Sequence, residues 1–258
     1  QNPVFAGERL LNYHFFSDIL PAMVSKYLPI RDFDLYFKIF PFFYSLFLGA
    51  SAYFLTKRLS DKKSAPIWAT IFTYFAGSFG FIVTYIKNKT VAGESIFWAT
   101  QPQSAGGNPP QIVSDFMILA AIYFLIVLGK QKDNAKVRLI SAICIVLFGT
   151  LVSFKVYAGV VALGALGIAG VWQYIKEKRL QMLIIALISG LLSIALYFPN
   201  TAGSTSFIIF QPWWYIRTMV VEPSRLNWID LELRRQFYLD RGGLRSVLRI
   251  IEYEGIAF

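Results

Sequence analysis

The feature that most constrains this chain is a series of apolar runs, each about as long as a bilayer is thick, between clusters of charged residues. An α-helix needs about 20 mostly apolar residues to cross the hydrocarbon core. The runs therefore predict an all-α fold, a polytopic membrane helix bundle with interfacial amphipathic helices on its outer face. The six predicted spans are residues 35–56, 65–86, 112–129, 139–154, 156–175 and 182–198.

Two of these spans come from one long run, residues 139–175, which exceeds the length of a single crossing. Lys155 lies near its middle, and a charged side chain at the centre of the bilayer is costly. A tight turn at Lys155 places the ammonium at the membrane surface instead. The run therefore predicts a helical hairpin with its corner at Lys155.

The loops after the first, third and fifth spans predict the orientation of the chain. They contain eleven lysines and arginines, whereas the loop of residues 87–111 contains only Lys87 and Lys89. Because short cytoplasmic loops are enriched in Lys and Arg, we predict that the three basic loops are cytoplasmic and that the protein lies in the plasma membrane. About 120 residues then lie outside, in segments 1–34, 87–111, the Lys155 corner and 199–258.

The composition excludes several classes of function. A net charge of +10 suggests nucleic-acid binding in a soluble protein, but here the apolar runs make it a sign of topology, and no nucleic acid is expected as a partner. One cysteine, Cys144, and one histidine, His14, exclude Cys-based and multi-His metal sites. The chain has no dinucleotide or phosphate-loop fingerprint. No cofactor is therefore predicted, and a divalent metal is an option that no residue pattern supports.

Two outer segments have the pattern of helices that lie on a membrane surface. Residues 15–28 are amphipathic, with Pro21 as an interruption, and residues 244–251 carry an apolar stripe beside a basic face that includes Arg245. We predict two domains, a transmembrane domain over residues 1–198 and an outer-face interfacial helical segment over 199–258. Arginines at a lipid surface can bind a phosphate, but general attraction to anionic lipids explains them as well.

Four outer residues have side chains that suit a sugar. His14 and Asp18 are four residues apart, and such a pair can bind a sugar hydroxyl or assist proton transfer. Trp98 and Gln101 combine a flat aromatic face with an amide donor. The alternatives are an interfacial histidine with a capping aspartate, and the ordinary aromatic belt of a membrane protein.

Three ionisable groups, Lys38, Asp115 and Lys155, lie near the outer ends of spans. The ordinary explanation is that the lysines extend to the surface and that Asp115 caps its helix. Their position on one face suggests a site instead. Small residues also cluster, and predict close helix contacts. These are Ala76 and Gly80 in the second span and Gly159, Ala162, Gly164, Ala165, Gly167, Ala169 and Gly170 in the fifth.

Four stretches carry a resemblance to a known family. They are NPVFAGERLLNYHFFSDILPAM (2–23), FPFFYSLFLGASAYFLTKRL (40–59), NPP (108–110) and SFKVYAGVVALGALGIAG (153–170). Together they resemble polytopic membrane glycosyltransferases of the GT-C type and related Tyr-rich multispan proteins. The resemblance implies a hexosyl- or pentosyltransferase that takes its sugar from a polyprenyl-phosphate-linked donor at the outer membrane face, with membrane lipid as its surroundings and no nucleotide sugar.

The resemblance also implies where the site lies. In that family the catalytic acid follows the first span, and this chain starts beyond that point. We therefore expect a longer protein with its catalytic base upstream of Gln1, and Glu8 and Asp18 at most in acceptor or metal binding. The predicted substrate-binding residues are Tyr13, His14, Asp18, Trp98 and Gln101 on the sugar side, and Lys155, Arg217 and Arg245 on the lipid phosphate.

The alternative function is a non-catalytic lipid-handling protein, either a flippase or a scaffold for envelope assembly. A flippase needs a hydrophilic lane across the bundle. The predicted spans show none, because their centres lack Asp, Glu, Lys and Arg.

Overall fold

A computed structural model describes residues 16–77, 82, 85, 86, 89, 107–201, 227–243, 245 and 249. Of these residues 85% are helical, and none of them lies in a strand. The prediction of an all-α membrane helix bundle is confirmed.

The helices have the following bounds. They are α1 Phe16–Tyr27, α2 Asp32–Leu59, α3 Ala65–Phe75, α4 Pro109–Gly129, α5 Asn134–Phe154, α6 Val156–Glu177, α7 Gln181–Thr201 and α8 Ile229–Arg241. Within the described part of the chain, five helices are long and apolar enough to cross a membrane, namely α2 and α4 to α7. The protein is therefore an integral, multi-pass membrane protein.

Local chemistry explains where several of these helices begin and end. Asp133 caps α5, since its carboxylate accepts a hydrogen bond from the Ala135 N–H at 2.9 Å. Two prolines, which need no hydrogen-bond acceptor for a backbone N–H, open α4 at Pro109 and Pro110. At the end of α6, Lys178 adopts the left-handed conformation with φ of 58°, and its N–H bonds to the Tyr174 carbonyl oxygen.

Helix α1 lies over one end of the bundle and packs against α2, α4 and α5. The sequence predicts an interruption at Pro21, but the helix continues through it. Its buried residues are Ser17 and Pro21, whereas Leu20 and Met23 are exposed. An exposed apolar face of this kind fits a helix that lies at a lipid surface.

Helix α3 covers the first half of the second predicted span, 65–86; of residues 78–86 the structure describes only Ile82, Tyr85 and Ile86, which are helical. Helix α3 ends at Phe75, and Ala76 is not helical. Gly80, the other half of the predicted small-residue pair, lies outside the described residues. The α3 helix is held on α2 by Tyr74, whose hydroxyl donates to the Ser45 carbonyl oxygen.

The described residues belong to two compact units. The first contains α1 to α7. Within it, α4 packs on α2 and α5, and α5 packs in turn on α6 and α7. The largest fully buried side chains of this unit are Leu35, Ile112, Leu151, Ile185 and Cys144.

The outward faces of the long helices are apolar. Only between 17% and 39% of each spanning segment is buried inside the protein. Side chains such as Phe42, Val161, Leu187 and Ile194 are more than half exposed. Exposed apolar area costs about 25 cal/mol per Å² in water, so these faces require lipid around them.

The cluster of small residues in α6 has two structural roles. Gly159 packs against Val152 of α5, and a Cβ atom on Gly170 would lie 2.9 Å from the backbone nitrogen of Leu183 in α7. Close contact is thus confirmed at these two positions. The prediction is wrong for Gly164 and Gly167, where an added Cβ would meet no atom within 4 Å.

The second unit contains α8, which is described by itself. An Arg235–Glu232 ion pair joins successive turns through two hydrogen bonds of 2.8 Å, and both side chains are about 8% exposed. Gly242, with φ of 63°, follows the last helical residue, Arg241, whose guanidinium lies 4.3 Å from the ring centroid of Phe237.

Candidate functional site

Three polar side chains form a hydrogen-bonded cluster where α4 and α6 begin. Gln111 and Asp115 are one turn apart on α4, and the Gln111 Nε2 donates to Asp115 Oδ1 at 2.8 Å. From the first turn of α6, the Tyr157 hydroxyl donates to Gln111 Oε1. Gln111 therefore uses its donor and its acceptor at once, which fixes the orientation of its amide.

Lys155 lies beside this cluster, at the corner between α5 and α6. It is the single residue that separates the two helices, and its backbone is extended, with φ of −153° and ψ of 110°. Its N–H donates to the Leu151 carbonyl oxygen at 2.9 Å, and its carbonyl oxygen accepts from the Gly159 N–H at 3.0 Å. The corner is thus hydrogen-bonded to both helices, which fixes the point from which the side chain extends.

The Lys155 ammonium contacts the cluster through its charge. It lies 5.5 Å from the centroid of the Tyr157 ring, within the range of a cation–π interaction. It also acts electrostatically on the Asp115 carboxylate. Among the described residues no ion pair is formed by Lys155, so its ammonium is available to an anion.

An apolar groove of about 490 Å³ extends from the cluster between α4 and α6. The two helices run in the same direction, because α5 returns between them, so Gln111 and Tyr157 lie at the same end. From Gln111 to Leu125 the groove follows α4 for about 20 Å at 1.5 Å per residue. Its apolar lining is Ile118, Ile122 and Leu125 of α4, Phe148 of α5, Ala158, Val161, Ala162, Ala165, Leu166 and Ala169 of α6, and Met182 of α7.

The alanines of α6 explain why the groove exists. Ala158, Ala162, Ala165 and Ala169 follow the helical spacing of four, three and four residues, so they form one stripe. The sequence predicts close helix contact for this stretch. Ala162 is buried in the core, in agreement with that prediction, whereas Ala165 and Ala169 are exposed and their small side chains leave space between α4 and α6.

The structure places three of the predicted substrate-binding residues. Lys155 lies at the site. Asp18 lies in the first turn of α1 and accepts a hydrogen bond from the Ser17 hydroxyl at 3.3 Å. Arg245 is exposed and belongs to the second unit. The other five, Tyr13, His14, Trp98, Gln101 and Arg217, lie outside the part of the chain that the structure describes.

The structure gives partners to two of the charged residues near the outer helix ends. The sequence interprets Asp115 as a helix cap, but α4 begins six residues earlier, at Pro109, and the Asp115 carboxylate bonds to a side chain. Lys38 forms an ion pair with Asp34, one turn before it, at 2.5 Å. Lys38 is therefore a surface lysine paired with a carboxylate on its own helix, whereas Asp115 belongs to the hydrogen-bonded cluster.

Sequence reasoning missed Gln111, Asp115 and Tyr157 as a group. A signal was present, because a carboxamide and a carboxylate four residues apart near the start of a span share one helix face. The sequence did not predict that Tyr157 lies beside Gln111, since this depends on how the hairpin of α5 and α6 packs on α4.

Comparison of the chain with family models, with curated proteins and with solved structures gives no match. The class of this protein is therefore defined by its fold and its site alone. They define an integral, multi-pass helical membrane protein with an apolar groove that ends in a polar, charged cluster.

Proposed function

We propose that this chain is part of a membrane glycosyltransferase that takes a sugar from a polyprenyl-phosphate-linked donor and transfers it to an acceptor at the outer membrane face. The observation that carries the proposal is the groove between α4 and α6, which is apolar along its length and polar at one end. A lipid-linked sugar has the same division, with an apolar chain and a polar, charged head.

The dimensions of the groove suit the apolar chain. Its length of about 20 Å is two-thirds of the hydrocarbon thickness of about 30 Å. Within a bilayer the binding of a lipid chain depends on shape and van der Waals contact, since the surrounding lipid is equally apolar. The exposed Ala165 and Ala169 leave the groove accessible from the lipid.

Lys155 supplies the charge that a phosphate requires. When the sugar leaves its carrier, negative charge develops on the lipid phosphate, and a positioned cation stabilises it. The ammonium is held near the end of the groove by a corner that is hydrogen-bonded to α5 and α6. In this proposal the Lys155 ammonium binds the phosphate group of the donor. It binds the same group in the lipid phosphate that departs.

The distribution of basic residues supports placement at the outer face. The short connections 130–133 and 178–180 contain four of the basic residues and join helices at the end opposite to Lys155. If these connections are cytoplasmic, as the excess of Lys and Arg predicts, the cluster is at the outer face. Nucleotide-activated sugars are cytoplasmic, whereas lipid-linked sugars can be presented there.

The same groove favours a second function, a lipid-handling protein without transfer activity. A flippase needs polar groups along the whole path of the head. In the described part of this groove the polar side chains lie at one end, and the rest of the lining is apolar. The groove therefore fits a protein that holds a lipid head at one face better than one that moves it across.

The test uses the full-length protein in vesicles that contain polyprenyl phosphate carrying a radiolabelled hexose or pentose. Release of polyprenyl phosphate and transfer of label to acceptor are measured for the wild type, for Lys155→Ala and for Lys132→Ala as the matched control. We expect turnover, lowered at least tenfold by Lys155→Ala and unchanged by Lys132→Ala. Binding of the donor without turnover would favour the lipid-handling function, and turnover unaffected at Lys155 would contradict the phosphate role.

A further inference from the structure

Asp115 is a carboxylate in the second turn of a membrane-spanning helix, where a charged group is expensive. Such a group is kept when it has partners or a function. Its Oδ1 accepts the hydrogen bond from Gln111. Among the described contacts no further hydrogen bond or ion pair reaches the carboxylate, and the side chain lines the groove. One oxygen is therefore available to a ligand in the groove.

The neighbours of Asp115 hold its carboxylate group in place. The Tyr157 hydroxyl donates to Gln111 Oε1, so the Gln111 amide group must direct its Nε2 donor toward Asp115. This chain of two hydrogen bonds connects α6 to α4 at the end of the groove. An ionised carboxylate only accepts hydrogen bonds, so its ligand must be a donor.

The charge of Lys155 limits which chemical class of hydrogen-bond donor can bind to Asp115. An ammonium head would be repelled by Lys155, which already acts on Asp115. A phosphate would be repelled by Asp115 and attracted by Lys155. A neutral head with several hydroxyl groups satisfies both residues.

We infer that Asp115, oriented by Gln111 and Tyr157, is the subsite that binds the hydroxyl groups of a sugar carried on the lipid in the groove. The inference rests on the proposed function for the identity of the carrier, and it assigns the sugar to Asp115 and the phosphate to Lys155. Asp115 touches the sugar, whereas Tyr157 is a positioning residue.

Three probes with one tail test this assignment: dodecyl glucoside, dodecyl phosphate and dodecanol. Equilibrium binding of each is measured to the full-length protein in lipid nanodiscs, relative to empty nanodiscs. Because hydrogen bonds to a charged group are stronger than those to a neutral one, we expect Asp115→Asn to weaken dodecyl glucoside about tenfold or more. Dodecyl phosphate should bind Asp115→Asn at least as tightly as the wild type, since a negative charge is removed.

Lys155→Gln should give the reverse pattern, with dodecyl phosphate weakened and dodecyl glucoside retained. Tyr157→Phe removes one hydroxyl from an exposed side chain and should weaken dodecyl glucoside about threefold while dodecanol is unaffected. Asp61→Asn, the same change on an exposed loop, is the matched control and should change nothing.

Glucoside affinity that stays within twofold in both Asp115→Asn and Tyr157→Phe would overturn the subsite. An equal loss of affinity for all three probes would also overturn the subsite. Asp115 would then stabilise the structure of the groove and would not bind the head group of the probe. Free glucose that binds as tightly as dodecyl glucoside would overturn the lipid-borne sugar. Absence of sugar transfer by the wild type contradicts only the proposed function, because these measurements require no turnover.

Discussion

The Ser193 hydroxyl donates to the Gly149 carbonyl oxygen at 2.8 Å and so joins α7 to α5. One turn earlier on both helices, the Ser189 hydroxyl makes the same bond to the Ile145 carbonyl oxygen at 3.5 Å. The two serines are almost fully buried, and neither leaves its hydroxyl unpaired in lipid. Small residues and interhelical hydrogen bonds of this kind are how helices associate where no water drives them together.

Substitution of Gly149 tests this interface. A Cβ atom at Gly149 would lie 2.6 Å from the Leu192 Cδ2 atom, so a side chain there forces α5 and α7 apart. We expect Gly149→Val to lower the free energy of unfolding by about 1–3 kcal/mol, the usual cost of overpacking. Thermal unfolding of the purified protein in nanodiscs provides the measurement.

Gly164→Val is its control, because a Cβ atom at Gly164 meets nothing within 4 Å. That variant should stay within about 0.5 kcal/mol of the wild type. Equal unfolding temperatures for the two variants would show that α5 and α7 are not packed as described.

The sequence was sufficient to predict the class of fold. Apolar runs and charge clusters report directly on the bilayer, because each helix must satisfy its own backbone in lipid. Lys155 illustrates this well, since a charge within an otherwise apolar run marks the corner between α5 and α6. The bounds of the helices differ more. Helix α5, which Asp133 caps, begins at Asn134, five residues before the apolar run does, since a capped helix extends beyond the hydrocarbon.

The site was predictable only in part. Lys155 was a candidate because its charge is conspicuous, whereas Ala165 and Ala169 of α6 suggested tight packing and are instead exposed in a groove. Whether a small residue brings helices together or leaves a space depends on the third helix that separates them. Here α5 lies between α4 and α6, and no local pattern contains that information.

Filling the groove should block the binding of a lipid chain. Ala165 is exposed in the groove, so Ala165→Phe places a ring there without overpacking the core. We expect at least a tenfold loss of affinity for dodecanol, equivalent to about 1.4 kcal/mol, with an unchanged unfolding temperature. Equilibrium binding to nanodiscs is the measurement.

Val160→Phe is the matched variant, because Val160 is exposed on α6 and does not line the groove. Its affinity for dodecanol should equal that of the wild type. If both variants bind dodecanol normally, the groove is not the lipid site.

In the second unit, the pair of Glu232 and Arg235 should matter for stability far more than its exposed neighbour. Loss of one partner of a buried ion pair costs up to about 3–5 kcal/mol, and Glu232 keeps a hydrogen bond from Gln236 when Arg235 is replaced. We therefore expect Arg235→Met to destabilise α8 strongly, whereas Arg234→Met on the exposed face stays within about 0.5 kcal/mol of the wild type. Hydrogen exchange over residues 229–241 measures both, and equal protection in the two variants would contradict a structural role for the pair.

The orientation of the chain is the prediction on which the site's location depends. A membrane-impermeant maleimide applied to intact cells should label Arg31→Cys, in the exposed turn before α2, and should not label Lys132→Cys in the basic connection between α4 and α5. Cys144, the one cysteine among these 258 residues, is fully buried and should not react. After the cells are opened, Lys132→Cys should react as readily as Arg31→Cys.

Labelling of Lys132→Cys from outside would place the Lys155 corner in the cytoplasm. The cluster of Gln111, Asp115 and Tyr157 would then face nucleotide-activated sugars, and the reason for a lipid-linked donor would be lost.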